Sequence, residues 1–197
     1  EASRVGLDLS FLRTIPGTIG GAIKMNAGCY GQYISDLVVS AKIVLRNGRK
    51  IKVDSKDLNF GYRRCKLPDQ SIIVGVTLKA PKVEPEIIKS KMEEFLKKRK
   101  KTQPVGEKTC GSTFRNPSGF SSNGRAGEDH SKKAWKLIDD AGLKGFSIGG
   151  AKVSELHSNF LVNTGTASSE DFELLGKLIQ KRVAETSNLK LEWEIER

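Results

Sequence analysis

The residues of this chain that could do chemistry fall into a few short strings. Ile15-Pro16-Gly17-Thr18-Ile19-Gly20-Gly21-Ala22-Ile23-Lys24-Met25-Asn26-Ala27-Gly28 sets four glycines among small residues. Glycine admits positive φ and lets a backbone come close to a ligand. Successive exposed N–H groups can then cradle an anion, most often a phosphate. The same string also fits a tight turn packed on a short helix, and its spacing is neither the dinucleotide G-x-G-x-x-G nor the Walker loop. Phe60-Gly61-Tyr62-Arg63-Arg64 precedes a strand-like run. An arginine fixed there could hold a carboxylate through a bidentate fork and stabilise charge that develops on it, and could equally be a surface arginine. Cys110-Gly111-Ser112-Thr113-Phe114-Arg115-Asn116-Pro117 offers Ser112 with no histidine locally paired, so a hydrolase-type nucleophile is not indicated. The hydroxyl could pass a proton to carbon, or the string could be a turn ended by Pro117. Glu192, Glu194 and Glu196 alternate with Leu191, Trp193 and Ile195, which puts three carboxylates on one strand face, ordinarily a solvent face. His157, beside Asn159 and Phe160, reads as a hydrogen-bonded structural histidine, and no second ligand stands at metal spacing, so no metal site is expected. His130 is assigned no role.

The elements that must position these strings are legible from periodicity. Residues 37–45 and 49–53 are strand-like and flank Asn47-Gly48, the strongest short hairpin signal, read as a two-residue loop. Ser71 to Leu78 is nearly all apolar and reads as a central strand. Pro81 and Pro85 mark a break, and a domain boundary is placed near Ala80 to Val83. Ile88, Met92, Phe95 and Leu96 recur at helical spacing between Glu86 and Lys101. A shorter helix carries Ala134, Leu137, Ile138 and Ala141, capped by Ser131 and stopped at Gly142. A third starts near Ser168, with Asp171 completing a capping box and Phe172, Leu175, Leu178, Ile179 and Val183 as its stripe. Leu189 to Ile195 alternates as a final strand. Phe120 to His130 is polar and reads as a mobile loop. The layout is α+β in two domains, with no internal repeat.

Composition narrows the class. At 197 residues with 37% hydrophobic and 29% charged content, the chain suits one large or two small globular domains. No apolar run approaches the roughly 18 residues of a membrane helix, and no secretory segment opens the chain. Cys29, Cys65 and Cys110 are odd in number and widely spaced, which fits reduced thiols in a cytoplasm. The formal net charge of +11 favours anionic partners. Much of the excess sits in Lys97-Lys98-Arg99-Lys100-Lys101, without the interleaved aromatics of a base-stacking platform. A solvated helix end is the commoner explanation, a nucleotide-sugar diphosphate would also use such charge, and nucleic acid is disfavoured.

The literal strings carry a more specific resemblance. The glycine segment, read on through Cys29, Tyr30 and Gly31, resembles the I-P-G-T/S-V/I-G-G-A-V/I-x-M-N-A-G-x-Y-G string of the UDP-N-acetylenolpyruvoylglucosamine reductase (MurB) family. The serine string resembles that family's G-S-x-F-K/R-N-P, and Leu191-Glu192-Trp193-Glu194-Ile195 its L-E-x-E-V/I. Arg99 to Pro104 resembles R-x-x-T/S-Q-P. Ala141 to Gly145 resembles A-G-L-K-G, and Gly149 to Phe160 resembles G-x-A-x-V/I-S-x-x-H-x-N-F. The resemblance covers nearly the whole chain.

The resemblance implies the C-terminal part of a PCMH/vanillyl-alcohol-oxidase-type FAD-binding domain (1–82) followed by a MurB-type substrate domain (83–197). It implies FAD along Pro16, Gly17, Thr18, Gly20, Gly21, Ala22, Met25, Asn26 and Ala27. NADPH would be the reductant and UDP-N-acetylglucosamine enolpyruvate the substrate. Arg63 and Glu194 would stabilise developing charge and Ser112 would donate the proton. Arg99, Arg115, Asn116 and Lys144 would lie near the nucleotide or diphosphate. The family places a further flavin-binding subdomain before this point, so the chain reads as truncated, with impaired catalysis expected. Relatives run on past Arg197, so Glu194 is expected to be loosely anchored. A cytoplasmic monomer, without nucleic-acid or membrane partners, is expected. The alternatives are another FAD oxidoreductase of the same fold or a non-catalytic UDP-sugar-binding remnant.

Overall fold

The computed structural model describes residues 1–123, 125 and 127–195. The chain divides into two compact units, Glu1–Lys97 with Ser121–Gly124, and Lys98–Phe120 with Arg125–Arg197. The fold is α+β, as the sequence leads one to expect.

In the first unit, Thr18 caps the short helix α1 (Ile19–Lys24) by accepting the Gly21 N–H, as N-cap threonines do. A small hairpin, β1 (Gly28–Cys29) with β2 (Gln32–Tyr33), follows. Next come β3 (Val38–Val44), β4 (Lys50–Asp54) and β5 (Ile72–Leu78), an antiparallel sheet in the order β4-β3-β5. The β3–β4 connection is a three-residue loop, not the expected two. Gly48 N–H bonds Leu45 C=O at 2.9 Å, Leu45 N–H bonds Arg49 C=O at 2.9 Å, and Gly48 takes φ +80°. That is a turn followed by a left-handed glycine, the geometry three-residue hairpins favour.

The second correction concerns β5. It lies at an edge, with β3 central, and Ile72 and Val74 are 66% and 57% exposed. Its apolar run suggests burial on both faces, yet only Ile73, Val76 and Leu78 pack on the core of Ile23, Ile34, Ala41, Ile43 and Leu58. Helix α2 (Pro85–Thr102) starts on a proline, whose fixed φ and missing N–H suit the first helical position. Of its apolar stripe only Ile88 is fully buried. The Tyr30 and Phe95 rings stack at 4.7 Å. The division between units falls inside this helix, after Lys97.

The second unit is a four-stranded antiparallel sheet covered by helices. Its strands are β6 (Lys108–Ser112), β7 (Ser147–Ile148), β8 (Ala151–Val153) and β9 (Phe160–Asn163), in the order β6-β9-β8-β7. Helices α3 (Ala134–Asp140) and α4 (Ser169–Ser187) pack Leu137, Ile138, Leu175, Ile179 and Val183 into the core. Ser131 does not cap α3; it bonds Asp129, and the Ala134 N–H is met instead by Asn116 Oδ1 at 3.0 Å. Gly142 does end α3, with φ +71°.

The final stretch forms no regular strand. It holds one bridge, Phe114 with Trp193; Glu196 and Arg197 lie outside the described residues. Among its described residues, Phe120 to His130 contains neither helix nor strand, and it makes two fixed contacts. Ser121 N–H donates to the Tyr33 hydroxyl at 3.0 Å, and Glu128 pairs with Lys133. Gly124 and Ala126, within that segment, are outside the described residues.

The expected capping box on α4 is present. Ser168 Oγ accepts the Asp171 N–H (3.1 Å), and Asp171 Oδ2 accepts the Ser168 N–H (2.9 Å) and the Gly150 N–H (3.1 Å). The carboxylate therefore ties the helix start to the β7–β8 turn. Ser168→Ala should cost about 1 kcal/mol of stability. Asp171→Ala should cost about 2 kcal/mol, because it abandons two N–H donors at once. Urea unfolding of the two variants would check both the magnitudes and their order.

Candidate active site

The first unit carries the glycine string and Arg63. Pro16 to Ile19 and Gly21 are exposed, so the string forms an open lip. Gly17 has φ +110°, and a Cβ built there meets no atom within 4 Å. At Gly20 and Gly21 such a Cβ would meet protein atoms no nearer than 3.5 and 3.4 Å. Packing within the protein thus does not force glycine at these positions, and the open side leaves room for a group lying against the backbone. Ala22 and Met25 are half-buried and Ala27 is buried.

Asn26 is buried with φ +40°, and its side chain is used inside the unit. Oδ1 accepts the Ser35 N–H at 3.2 Å, and Nδ2 donates to Gly61 C=O at 3.0 Å. That second bond fastens the glycine segment to the turn carrying Arg63. The turn closes through the Gly61 N–H to Arg64 C=O bond at 3.0 Å. Arg63 sits at φ +54° with its guanidinium carbon 5.1 Å from the Tyr62 ring centre. A positive φ at a non-glycine residue costs energy, so tertiary contacts such as the Asn26 bond must sustain it.

The second unit joins the serine string to the glutamate string. Ser112 ends β6 opposite Phe160, after Gly111 at φ +93°. Beyond it the chain pairs with residues 192–194: Arg115 N–H donates to Glu192 C=O and Glu194 N–H to Thr113 C=O, both at 2.8 Å, around the Phe114–Trp193 bridge. The Phe114 and Trp193 rings lie 4.8 Å apart. Glu194 is therefore held opposite the residue next to Ser112. It is well anchored, contrary to the looser attachment expected. The Gln180 side-chain amide adds a 2.8 Å bond to Leu191 C=O.

The H-x-N-F string turns out to be the brace of this ladder. Asn159 mimics a strand neighbour, its Oδ1 accepting the Phe114 N–H (2.9 Å) and its Nδ2 donating to Phe114 C=O (2.8 Å), while Asn159 C=O accepts the Thr113 N–H at 2.8 Å. His157 Nδ1 accepts the Asn159 N–H at 3.3 Å, and the imidazole meets Phe160 edge-on at 4.7 Å. Burial drives its pKa down to about 4, so it is neutral near pH 7.

The structure thus sets Ser112, Arg115 and Asn116 on the segment whose middle pairs with the one bearing Glu194, and Arg63 with the glycine string in the other unit. Arg99 lies in the last turn of α2. Lys144 is half-exposed beside Asp139, 4.0 Å away. Sequence reasoning missed Lys133, a lysine with no exposed surface, and Gly176, a mid-helix glycine packed on Trp193. A glycine among strong helix formers is the signal that could have found the second, since it costs helix stability unless packing requires it.

Residues 103–197 match the family described as UDP-N-acetylenolpyruvoylglucosamine reductase, C-terminal domain. Relatives of that reductase name from Ruegeria pomeroyi and Jannaschia sp. are each 51% identical over the whole chain, which spans 64% of their length. The crystal structure of the reductase (MurB) from Thermus caldophilus superimposes with a TM-score of 0.82 at 36% identity, over 99% of this chain and 66% of that one. The chain belongs to the UDP-N-acetylenolpyruvoylglucosamine reductase family.

Two outcomes follow from this geometry. A Cβ at Gly176 would collide with the six-membered ring of Trp193. In an exposed helix Gly→Ala stabilises by about 1 kcal/mol; here Gly176→Ala should instead destabilise by about 1–3 kcal/mol, with a changed near-UV spectrum from Trp193. His157 has a native pKa of about 4 against 6.5 in the unfolded chain. The unfolded state therefore binds the proton first, and stability present above pH 6.5 is lost as pH falls toward 4, by up to about 3 kcal/mol. Urea midpoints for wild type and His157→Gln should converge across that window; parallel curves would exclude His157 as the source.

Proposed function

We propose that this chain serves the NADPH-dependent, FAD-mediated reduction of UDP-N-acetylglucosamine enolpyruvate to UDP-N-acetylmuramate, as a cytoplasmic monomer in peptidoglycan precursor synthesis. Among the described residues, no helix is long and apolar enough to cross a membrane. The observation that supports the reading most directly is the pairing of Thr113 to Arg115 with Glu192 to Glu194, which joins the segment that follows Ser112 to the one that carries Glu194. It is supported by the names of relatives similar over this chain's whole length. In this reading residues 1–82 are flavin-binding and 83–197 hold the nucleotide sugar.

The open glycine lip fits a flavin, because no protein atom fills the space where side chains at Gly17, Gly20 and Gly21 would stand. Pro16, Thr18, Ala22, Met25, Asn26 and Ala27 complete that surface, with Asn26 contributing through its hold on the Arg63 turn. Flavin, when bound, supplies the hydride that NADPH provides. Its addition to the terminal vinyl carbon forms a C–H bond and pushes an electron pair toward the substrate carboxylate. In this reading Arg63 neutralises that charge through a bidentate fork, and Glu194 adds to the stabilisation as the charge develops. Ser112 delivers its hydroxyl proton to the neighbouring carbon and recovers one from solvent. Arg115, Asn116, Arg99 and Lys144 serve the UDP diphosphate, whose charge the basic composition complements.

Because the chain spans 64% of its relatives' length, titration with FAD followed by flavin fluorescence comes before any turnover assay. Saturable quenching is expected, then NADPH oxidation that requires the enolpyruvyl substrate. Ser112→Ala should lower kcat by about 100- to 10,000-fold, the range for a lost proton donor, with KM little changed. Wild-type turnover by Ser112→Ala, or flavin reduction by a small alcohol in place of NADPH, would overturn the assignment.

A further inference from the structure

The loop between Asn116 and Ala134 is closed by a buried cation. Lys133 is 0% exposed, and its ammonium lies 3.2 Å from Glu128 Oε1, whose side chain is 4% exposed. The same ammonium donates to Phe120 C=O at 3.2 Å and sits 3.9 Å from the centre of the Phe120 ring. Removing an ammonium from water costs several kcal/mol unless partners of this kind repay it. Asn116 Nδ2 donates to the same Phe120 carbonyl at 3.0 Å, while Asn116 Oδ1 accepts the N–H of Ala134 at 3.0 Å. Residues 116, 120, 133 and 134 therefore form a closed ring, and both ends of the Asn116 amide are engaged in it. Arg115 precedes this ring. Its main-chain N–H is fixed to Glu192, and its Nε is buried without a hydrogen-bond partner. A buried guanidinium N–H is rarely left unpaired, and an anionic oxygen would satisfy it.

We propose that Lys133 is a positioning residue of the nucleotide-sugar site. Together with Asn116 it locks the loop that follows Arg115, whose guanidinium then presents a donor to the substrate diphosphate. This rests on the nucleotide-sugar reading above. Lys133 reaches no ligand itself, since its ammonium is enclosed by the carbonyl, carboxylate and ring already described.

UDP-N-acetylglucosamine, titrated calorimetrically into the full chain, tests the role. Lys133→Met leaves the Glu128 carboxylate buried without its counter-charge and is expected to lower stability. Lys133→Met with Glu128→Leu removes both charges, a change that buried pairs often tolerate, and should regain the thermal midpoint. Its Kd for the nucleotide sugar should nonetheless rise about ten-fold, as coupling between contacting groups allows. In an Arg115→Met background the same double change should have no further effect on Kd, because Lys133 acts through Arg115. A merely structural lysine predicts otherwise: wild-type Kd once stability is restored, or additive losses in the Arg115→Met background. Either result overturns the positioning role alone. No binding of UDP-N-acetylglucosamine by the wild-type chain overturns the nucleotide-sugar reading, and the role of Lys133 with it.

Discussion

The second unit depends on two short main-chain bonds on either side of one aromatic pair. Thr113 C=O receives Glu194 N–H, Glu192 C=O receives Arg115 N–H, and Phe114 meets Trp193 between them. Neither segment could hold this register alone. Residues 192–194 form no regular strand, and a single bridge offers little cooperativity. The register is fixed from outside. Asn159 grips Phe114 with both ends of its amide, and Gly176 gives the Trp193 ring a flat seat on α4. Packing and side-chain hydrogen bonds thus do the work that a longer ladder would otherwise do, and their product is the pairing of the segment that bears Glu194 with the residues that follow Ser112.

A parallel arrangement governs the first unit. There the backbone turn bearing Arg63 is strained, and the bond from Asn26 helps sustain it. Asn26 belongs to the glycine segment, so the surface that would meet a flavin and the arginine that would meet a carboxylate share one rigid connection. In both units a buried asparagine replaces missing backbone partners. It can do so because its amide carries donor and acceptor at the spacing of a peptide group.

Much of this was legible in the sequence, for reasons that differ from element to element. The helices were read correctly because their apolar stripes and caps are local signals, as at Ser168 and Asp171. The β3–β4 hairpin was found from Asn47-Gly48, yet its loop length was not, because left-handed Gly48 serves equally in two- and three-residue loops. β5 was placed at the sheet centre because an apolar run reports hydrophobicity and not neighbours. The last strand was over-read, since alternation in Leu189 to Ile195 arises here from Leu191 and Trp193 packing inward, without a ladder. Ser131 lost its capping role to Asn116, a residue 18 positions away from Ala134, which no local pattern announces. The strings with candidate chemistry were visible as strings. Their mutual placement was not, because it follows from contacts between distant segments.

Lys133 shows the limit most plainly. In sequence it is one of many lysines in a basic chain, adjoining Lys132 and bordering a polar loop. Such residues are almost always solvated. Its burial becomes intelligible only when Glu128, the Phe120 carbonyl and the Phe120 ring are seen to converge on one ammonium. A cation enclosed in this way is poorly justified as a source of stability, since apolar replacements often serve as well. What a buried pair supplies that an apolar cluster cannot is direction: a carbonyl and a carboxylate must both face one point. In this loop that directional constraint acts on Phe120, through Phe120 on the Asn116 amide, and so on the residue adjoining Arg115.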